Sequence, residues 1–408
     1  MKRALFFLTS SFPFGTGETF IENEIDYLAK AFDKIIIISN DTQNPQTRTV
    51  PDNVQLLRMP YELDSKDKAK ALSSIIKPDF WKELIWVSKR KKLRKGIINT
   101  MLISLYKAYK ISKYLQQQSA RFNEFKIYGY SYWCNDNALS LALWKRKDKN
   151  IKVFCRLHGW DLYEDRSDFK YLPYRMTTVN RLNNLFFISE QGMKYWQTNY
   201  GNSKNLKVSR LGTKCIKSSD TNKSSDAFHI VSCSSLIPLK RVHLIIEALS
   251  KVNSENKIKW THFGGGKLYN ELEELSKRLL NDKIEWELKG QASNKEVMEY
   301  YTSEQPNLFI NVSETEGIPV SIMEAFSCGI PAIATAVGGT PEIVKDGLNG
   351  YLLNANTDAQ SIKEIITNHI NLPRDNQQEK SRNAKVTWEE YYSAEKNYKG
   401  FVEFATTL

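Results

Sequence analysis

The sequence predicts an α/β protein made of two doubly wound parallel-sheet domains facing across a cleft. Three observations predict it. The chain has 408 residues, and at about 100–200 residues per domain this favours two domains. Short apolar, β-rich runs alternate with amphipathic helical patterns almost throughout, the pattern of parallel sheets covered by helices on both faces. The alternation breaks once and restarts, across Lys214–Ala227, where KCIKSSDTNKSSDA has the composition of a linker. The expected division is a first domain over 1–213, a linker over 214–227, a second domain over 228–387 and a helical segment over 388–408 bracing the domains.

In chain order, Ala4–Leu8, Lys34–Ser39, Phe125–Tyr130, Ile151–Arg156 and Asn184–Ile188 read as strands of the first domain. Between them, Phe20–Phe32, Ile97–Gln118 and Ala138–Lys147 read as helices. The second domain offers strands at Phe228–Cys233, Lys257–Phe263, Ile284–Leu288, Asn307–Asn311 and Pro331–Thr335, with helices at Arg241–Val252, Leu268–Leu280 and Val320–Cys328. The aromatic segment Trp388–Ala405 reads as one helix. In such sheets ligands bind outside the carboxyl ends of the strands, so the strand-to-helix turns are where chemistry is expected.

Hydrophobic residues make up 41% and charged residues 25%, which excludes wholesale disorder and collagen-like repeats. The net charge of +12 is unevenly spread. Met1 to Thr213 holds 36 basic and 20 acidic side chains, and the rest holds 22 and 26. An electropositive first half points to an anionic partner. Five scattered cysteines without a C-x-x-C support neither a disulfide framework nor a zinc site, and fit reduced thiols in a cytosolic protein. The apolar run after Met1-Lys2-Arg3 is too short for a secretory signal. No stretch approaches the roughly 20 apolar residues of a membrane span.

The most informative segment runs from Asn311 to Pro331, NVSETEGIPVSIMEAFSCGIP. A strand ends near Asn311, a tight turn passes through Glu316 and Gly317, and Pro319 falls where a helix's first residue belongs. The first amides of that helix lack helical acceptors, and such a start binds phosphate through free donors and the positive dipole end. Glu316 and Glu324 would repel an anion unless they meet neutral hydroxyls. The combination suits a sugar nucleotide. Taken alone, two glutamates at this spacing are ordinary surface charges.

The surrounding residues change that reading. The segment closely resembles the retaining nucleotide-sugar glycosyltransferases of family 4, which carry Glu-x7-Glu followed by Ala-x-x-x-Gly-x-Pro. The likeness continues through Val337-Gly338-Gly339-Thr-Pro341-Glu342 and Asp346-Gly347-x-Asn349-Gly350-Tyr351. The resemblance implies the GT-B fold of two Rossmann-like domains. The donor, a UDP-sugar, would bind mainly the C-terminal one and the acceptor mainly the N-terminal one, with no metal or cofactor. It assigns Glu316 to the donor sugar, Glu324 to the ribose hydroxyls, and Gly317, Ile318, Pro319 and Val320 to the diphosphate. It also implies a same-face mechanism in which the leaving phosphate takes the acceptor's proton.

Further candidates follow from the same likeness. Lys240 can neutralise the leaving diphosphate as a point charge. Ser235 stands where similar enzymes carry an arginine, and Arg241 could substitute for it. Gly15 and Gly17, in the turn after the first strand, let the main chain approach the donor, and Gly265 sits in a glycine-rich turn beside the nucleotide. Neither glycine cluster completes G-x-G-x-x-G, so a dinucleotide site is disfavoured. In Arg156-Leu-His158-Gly159-Trp160-Asp161, similar enzymes place the histidine near the reacting sugar, which makes His158 a catalytic candidate beside Lys240 and Glu316.

Lys77–Lys95 carries eight basic and two acidic residues with interleaved aromatics. It reads as a basic amphipathic segment for an anionic membrane surface, with nucleic-acid binding the other meaning of such composition. The expected protein is a retaining hexosyltransferase at the cytoplasmic face of the membrane, acting on a glycan or lipid-linked glycan in bacterial exopolysaccharide, capsule or O-antigen synthesis, with no nucleic-acid partner. Two alternatives stay open: a sugar-nucleotide epimerase of the same fold, and a non-catalytic basic membrane- or nucleic-acid-binding protein on a transferase scaffold.

Overall fold

A computed structural model describes residues 1–60, 69–215, 227–282 and 284–408. The chain divides into two compact units, one of Met1–Ser209 with Tyr398–Leu408 and the other of Arg210–Asn397. Most of the expected linker, 216–226, lies outside the described residues.

The first unit is built on seven strands: β1 (Lys2–Thr9), β2 (Lys34–Ser39), β3 (Val54–Arg58), β4 (Phe125–Ser131), β5 (Lys152–Leu157), β6 (Asn184–Phe187) and β7 (Leu206–Val208). They pair in the order β3-β2-β1-β4-β5-β6-β7, every pairing parallel. A side-chain period of two explains how both faces are filled. Leu5 and Phe7 join Ile35 and Ile37 in one core, whereas Phe6 and Leu8 join Ile36 and Ile38 in the other. Runs of Ile and Phe buried on both sides are what a covered parallel sheet requires.

The second unit has six strands: β8 (Ala227–Cys233), β9 (Lys257–Phe263), β10 (Ile284–Leu288), β11 (Leu308–Asn311), β12 (Ala332–Thr335) and β13 (Gly350–Leu353). Their order is β10-β9-β8-β11-β12-β13, again all parallel. Both units thus follow the doubly wound order of a Rossmann-like domain. In each, the order reverses at one place, between β1 and β4 and between β8 and β11. Loops leaving the carboxyl ends there diverge and leave room for a ligand.

Three strands, β3, β7 and β13, escape the sequence reading. Each is short and only partly buried, so its apolar pattern is weak. The aromatic C-terminal segment is not one helix. A helix ends at Tyr391 and another spans Ala394–Thr407. Between them, the carbonyl of Tyr392 and the amide of Ala394 bond the backbone of Thr213 at 3.0 Å each, and Trp388 Nε1 reaches the Thr213 hydroxyl at 2.8 Å. That bridge uses backbone groups a continuous helix would need.

Candidate functional site

In the second unit, β8 leads into a loop that ends in the short 3-10 helix Pro238–Lys240. The strand beside it, β11, leads into the turn around Gly317. The order reversal between these strands brings Lys240 and Glu316 together, with Lys240 Nζ 2.5 Å from Glu316 Oε1. Asn311 Nδ2 donates to the same oxygen at 3.3 Å. The carboxylate charge is therefore matched before any ligand arrives.

The helix Val320–Ser327 starts immediately after this pair. Pro319 is the residue before the helix rather than its first: its ψ of 111° is extended, and its carbonyl accepts from the amides of Ile322 and Met323. The amides of Gly317, Ile318, Val320 and Ser321 meet no acceptor among the described residues. Four donors and the positive end of a helix dipole lie together beside a lysine. An anion suits that place.

Gly338 and Gly339 shape the turn from behind. A Cβ on Gly338 would lie 1.8 Å from the carbonyl oxygen of Glu316, and φ there is +53°. The amide of Gly339 donates to the Gly317 carbonyl at 2.6 Å. Only glycine lets the 337–339 loop press this closely on residues 316–318.

Glu324, about a turn and a half into the helix, is buried, and Asn294 Nδ2 donates to its Oε1 at 2.5 Å. Burial raises its pKa to about 7, against the lowering effect of the Asn294 bond. Its Oε2 meets no donor among the described residues and remains an acceptor. Asn294 escapes the sequence reading. The capping box of Ser293 and Glu296 marks that helix start, but nothing local pairs Asn294 with a residue thirty positions on.

Two donor candidates are held differently from expectation. Arg241 does not turn toward the anion site. Its guanidinium donates to the carbonyls of Val312, Ser313 and Ala355 at 2.8, 3.3 and 2.9 Å, which commits a planar fork to loop architecture. Ser235 is exposed, with its carbonyl accepting from the Ile237 amide. In the glycine turn, Gly264 is the residue that geometry demands, since a Cβ there would meet the Ser234 carbonyl at 1.9 Å, whereas Gly265 has ordinary space. His262 supports this loop from below. Its Nε2 donates to the Ser234 carbonyl at 3.1 Å and its Nδ1 accepts from Ser232 at 2.8 Å. Burial lowers its pKa to about 4, so it stays neutral.

In the first unit, His158 follows β5. Its ring lies 4.6 Å from Tyr132, 4.5 Å from Trp133 and 6.0 Å from Phe20, centroid to centroid. Both ring nitrogens are buried without a hydrogen-bond partner. Asp161 holds the loop by accepting from the amides of His158 and Cys134, both at 2.8 Å. Burial raises the Asp161 pKa, but contacts with His158 and the Cys134 amide outweigh it and hold the carboxyl below the usual range.

The turn after β1 is organised by Glu18, which the sequence reading missed. At φ +57°, its carboxylate accepts from the amides of Ser10, Ser11 and Phe12 at 3.0, 2.6 and 2.7 Å and from Trp133 Nε1 at 2.5 Å. Gly15 and Gly17 lie in the same turn. The Gly15 amide donates to the Pro45 carbonyl, and Arg48 bonds the carbonyls of both glycines at 2.8 Å. Among the described residues no cluster of three or more His, Cys, Asp or Glu could hold a metal.

Comparison with known proteins agrees with this architecture. Residues 216–387 match the family model of glycosyl transferases group 1. An uncharacterized glycosyltransferase of Methanocaldococcus jannaschii is 31% identical over 156 residues, 38% of this chain and 42% of that protein. WcaL of Salmonella typhimurium, whose name places it in colanic acid biosynthesis, is 26% identical over 234 residues, 55% of this chain and 56% of its own. The matched stretches thus span about half of these relatives or less. Among solved structures, Anabaena HepE, in complex with UDP and glucose, superposes over 100% of both chains with a TM-score of 0.69 at 17% identity, a likeness of fold. The strand orders of both units fit the GT-B fold, and the region that matches the group 1 glycosyl transferases lies within the second unit and contains the Lys240–Glu316 pair.

Proposed function

We propose that the protein is a glycosyltransferase that moves a sugar from a nucleotide diphosphate donor, a UDP-sugar, to a glycan acceptor. One observation carries the reading: unpartnered amides at the start of helix Val320–Ser327 lie beside the Lys240–Glu316 pair, where the strand order reverses. The amides of Gly317, Ile318, Val320 and Ser321 would hold the diphosphate, and Lys240 would offset charge as it departs. Displaced from Lys240, Glu316 would accept from the donor sugar's hydroxyls, and Glu324 Oε2 from the ribose. His158, whose Nδ1 lies 3.9 Å from Asp161 Oδ2, would contact the reacting sugar through its ring. Arg241 is left out, since its guanidinium is occupied elsewhere.

The finer reading is a metal-independent transfer with retention of configuration. The bond from the anomeric carbon to the diphosphate oxygen breaks, the acceptor oxygen bonds the same face, and the acceptor's proton passes to the diphosphate. A lipid-linked glycan acceptor in bacterial polysaccharide assembly, reached from the cytoplasmic face of the membrane, fits the net positive first half and the likeness to WcaL. Among the described residues no helix is long and apolar enough to cross a membrane.

Calorimetry with UDP and a panel of UDP-sugars tests the reading. Binding by the wild type that Lys240→Ala weakens supports it, and failure of every nucleotide sugar to bind overturns it. Product anomer by NMR and turnover in EDTA decide the finer points. Acceptor-free interconversion of the donor would instead identify an epimerase.

A further inference from the structure

The first unit carries a surface that its own packing leaves uncovered. The 3-10 helix Ala71–Ile76 buries Ala71 and Ser74, and the helix Pro78–Lys89 buries Asp79, Phe80, Glu83 and Val87. The opposite side of both exposes large apolar groups: Leu72, Ile75, Ile76, Trp81 and Ile85, with Ile76 at 77% and Trp81 at 50%. Trp81 Nε1 donates to the Ile75 carbonyl at 2.7 Å, which joins the two elements into one patch. Trp81 and Ile85, four residues apart, share a helix face. Scattered exposed apolar residues need no explanation, but a contiguous group of five marks an interaction site.

Folding also sorts the charges. In the described stretch 69–95 the only carboxylates are Asp79 and Glu83, and both are buried. Asp79 binds Arg146 and Arg181 at 2.7 Å each, and Glu83 accepts from the Tyr171 hydroxyl and the Tyr174 amide. Lys70, Lys82, Lys89, Lys91, Arg94 and Lys95 remain exposed. The surface of this stretch is therefore apolar and cationic, with no exposed carboxylate.

We infer that this patch docks the protein on an anionic lipid bilayer. Leu72, Ile75, Ile76, Trp81 and Ile85 enter the interface between headgroups and acyl chains, and the surrounding lysines meet the phosphates. A second copy of the chain is disfavoured as the occupant, because two such faces would bring like charges together. The inference names the membrane-facing element of the reading above and rests on it only for its purpose, delivery of a lipid-linked acceptor.

The test is sedimentation of the full chain with phosphatidylcholine vesicles, with and without phosphatidylglycerol. Binding is expected with the anionic lipid and weakens as salt rises. Ile76→Glu with Ile85→Glu lowers vesicle partition roughly tenfold or more, while melting temperature and UDP affinity stay at wild-type values because both positions are exposed. Lys82→Glu with Lys89→Glu acts in the same direction and flattens the salt dependence. Wild type that ignores anionic vesicles, binding indifferent to lipid charge, or an isoleucine variant that partitions like wild type overturns the inference. UDP affinity read on the same samples separates the two ideas: vesicle binding without it would spare the docking surface and sink the transferase reading.

Discussion

The two units repeat one strand order, yet their loops at the order reversal treat negative charge in opposite ways. In the first unit, the amides of Ser10, Ser11 and Phe12 after β1 close on the chain's own Glu18 carboxylate. In the second, the amides at the start of helix Val320–Ser327 stay open, with Lys240 and Glu316 paired beside them. Parallel sheets place unpaired amides at strand ends in both cases. What differs is whether the sequence supplies an internal anion. The unit that does not is the one suited to a diphosphate from outside, and the unit that does presents a stiffened turn against Trp133 and His158.

The contrast can be broken most severely at Gly338. Gly338→Ala puts a methyl 1.8 Å from the Glu316 carbonyl at a left-handed φ. It is expected to abolish UDP binding and lower the melting temperature, at a cost of several kcal/mol, read by calorimetry and a thermal melt. Lys240→Ala comes next. It removes the cation beside Glu316, and kcat/KM for the donor should fall about a hundredfold, or roughly 3 kcal/mol, with little change in acceptor KM in a steady-state assay.

Glu324 sharpens the contrast through pH. Its folded pKa is raised to about 7 from the ordinary 4.5, so the native state binds the extra proton and stability falls as pH rises between those values. Ionised Oε2 is the better acceptor, so donor affinity should rise through pH 7 while stability declines. Glu324→Gln should cost about tenfold in donor affinity at pH 8, remove the pH dependence, and gain up to roughly 3 kcal/mol of stability there relative to wild type. Melts and titrations at pH 5 and pH 8 check both signs. The smallest effect belongs to Glu18→Gln. An amide cannot accept from four donors with a carboxylate's strength, so the turn loosens at about 1–3 kcal/mol. Acceptor KM should rise a few-fold with UDP affinity unchanged, and a change in UDP affinity instead would dissolve the distinction between the units.

Where sequence reading succeeded, the information was local and periodic. Ala4–Leu8 and Lys34–Ser39 were legible because strands buried on both faces are continuous apolar runs, and the segment 311–331 because turn, proline and paired glutamates are close neighbours. The reading failed where the partner is remote. Glu18 looked like one more acidic residue before a helix, and nothing near it announces Trp133, 115 positions away. Arg241 offered a plausible cation until three carbonyls, from Val312 to Ala355, claimed it.

The sequence by itself determined the doubly wound sheets and the glycine- and glutamate-bearing turn after β11, because hydrophobic period and backbone permissiveness are properties of adjacent residues. Only the tertiary structure decided which charges are spent internally and which face outward. It buried Asp79 and Glu83, tied down Arg241, filled one nest with Glu18 and left another open. The physical reason is that a charged group acquires its role from the dielectric and the partners around it, and those are fixed by residues far along the chain.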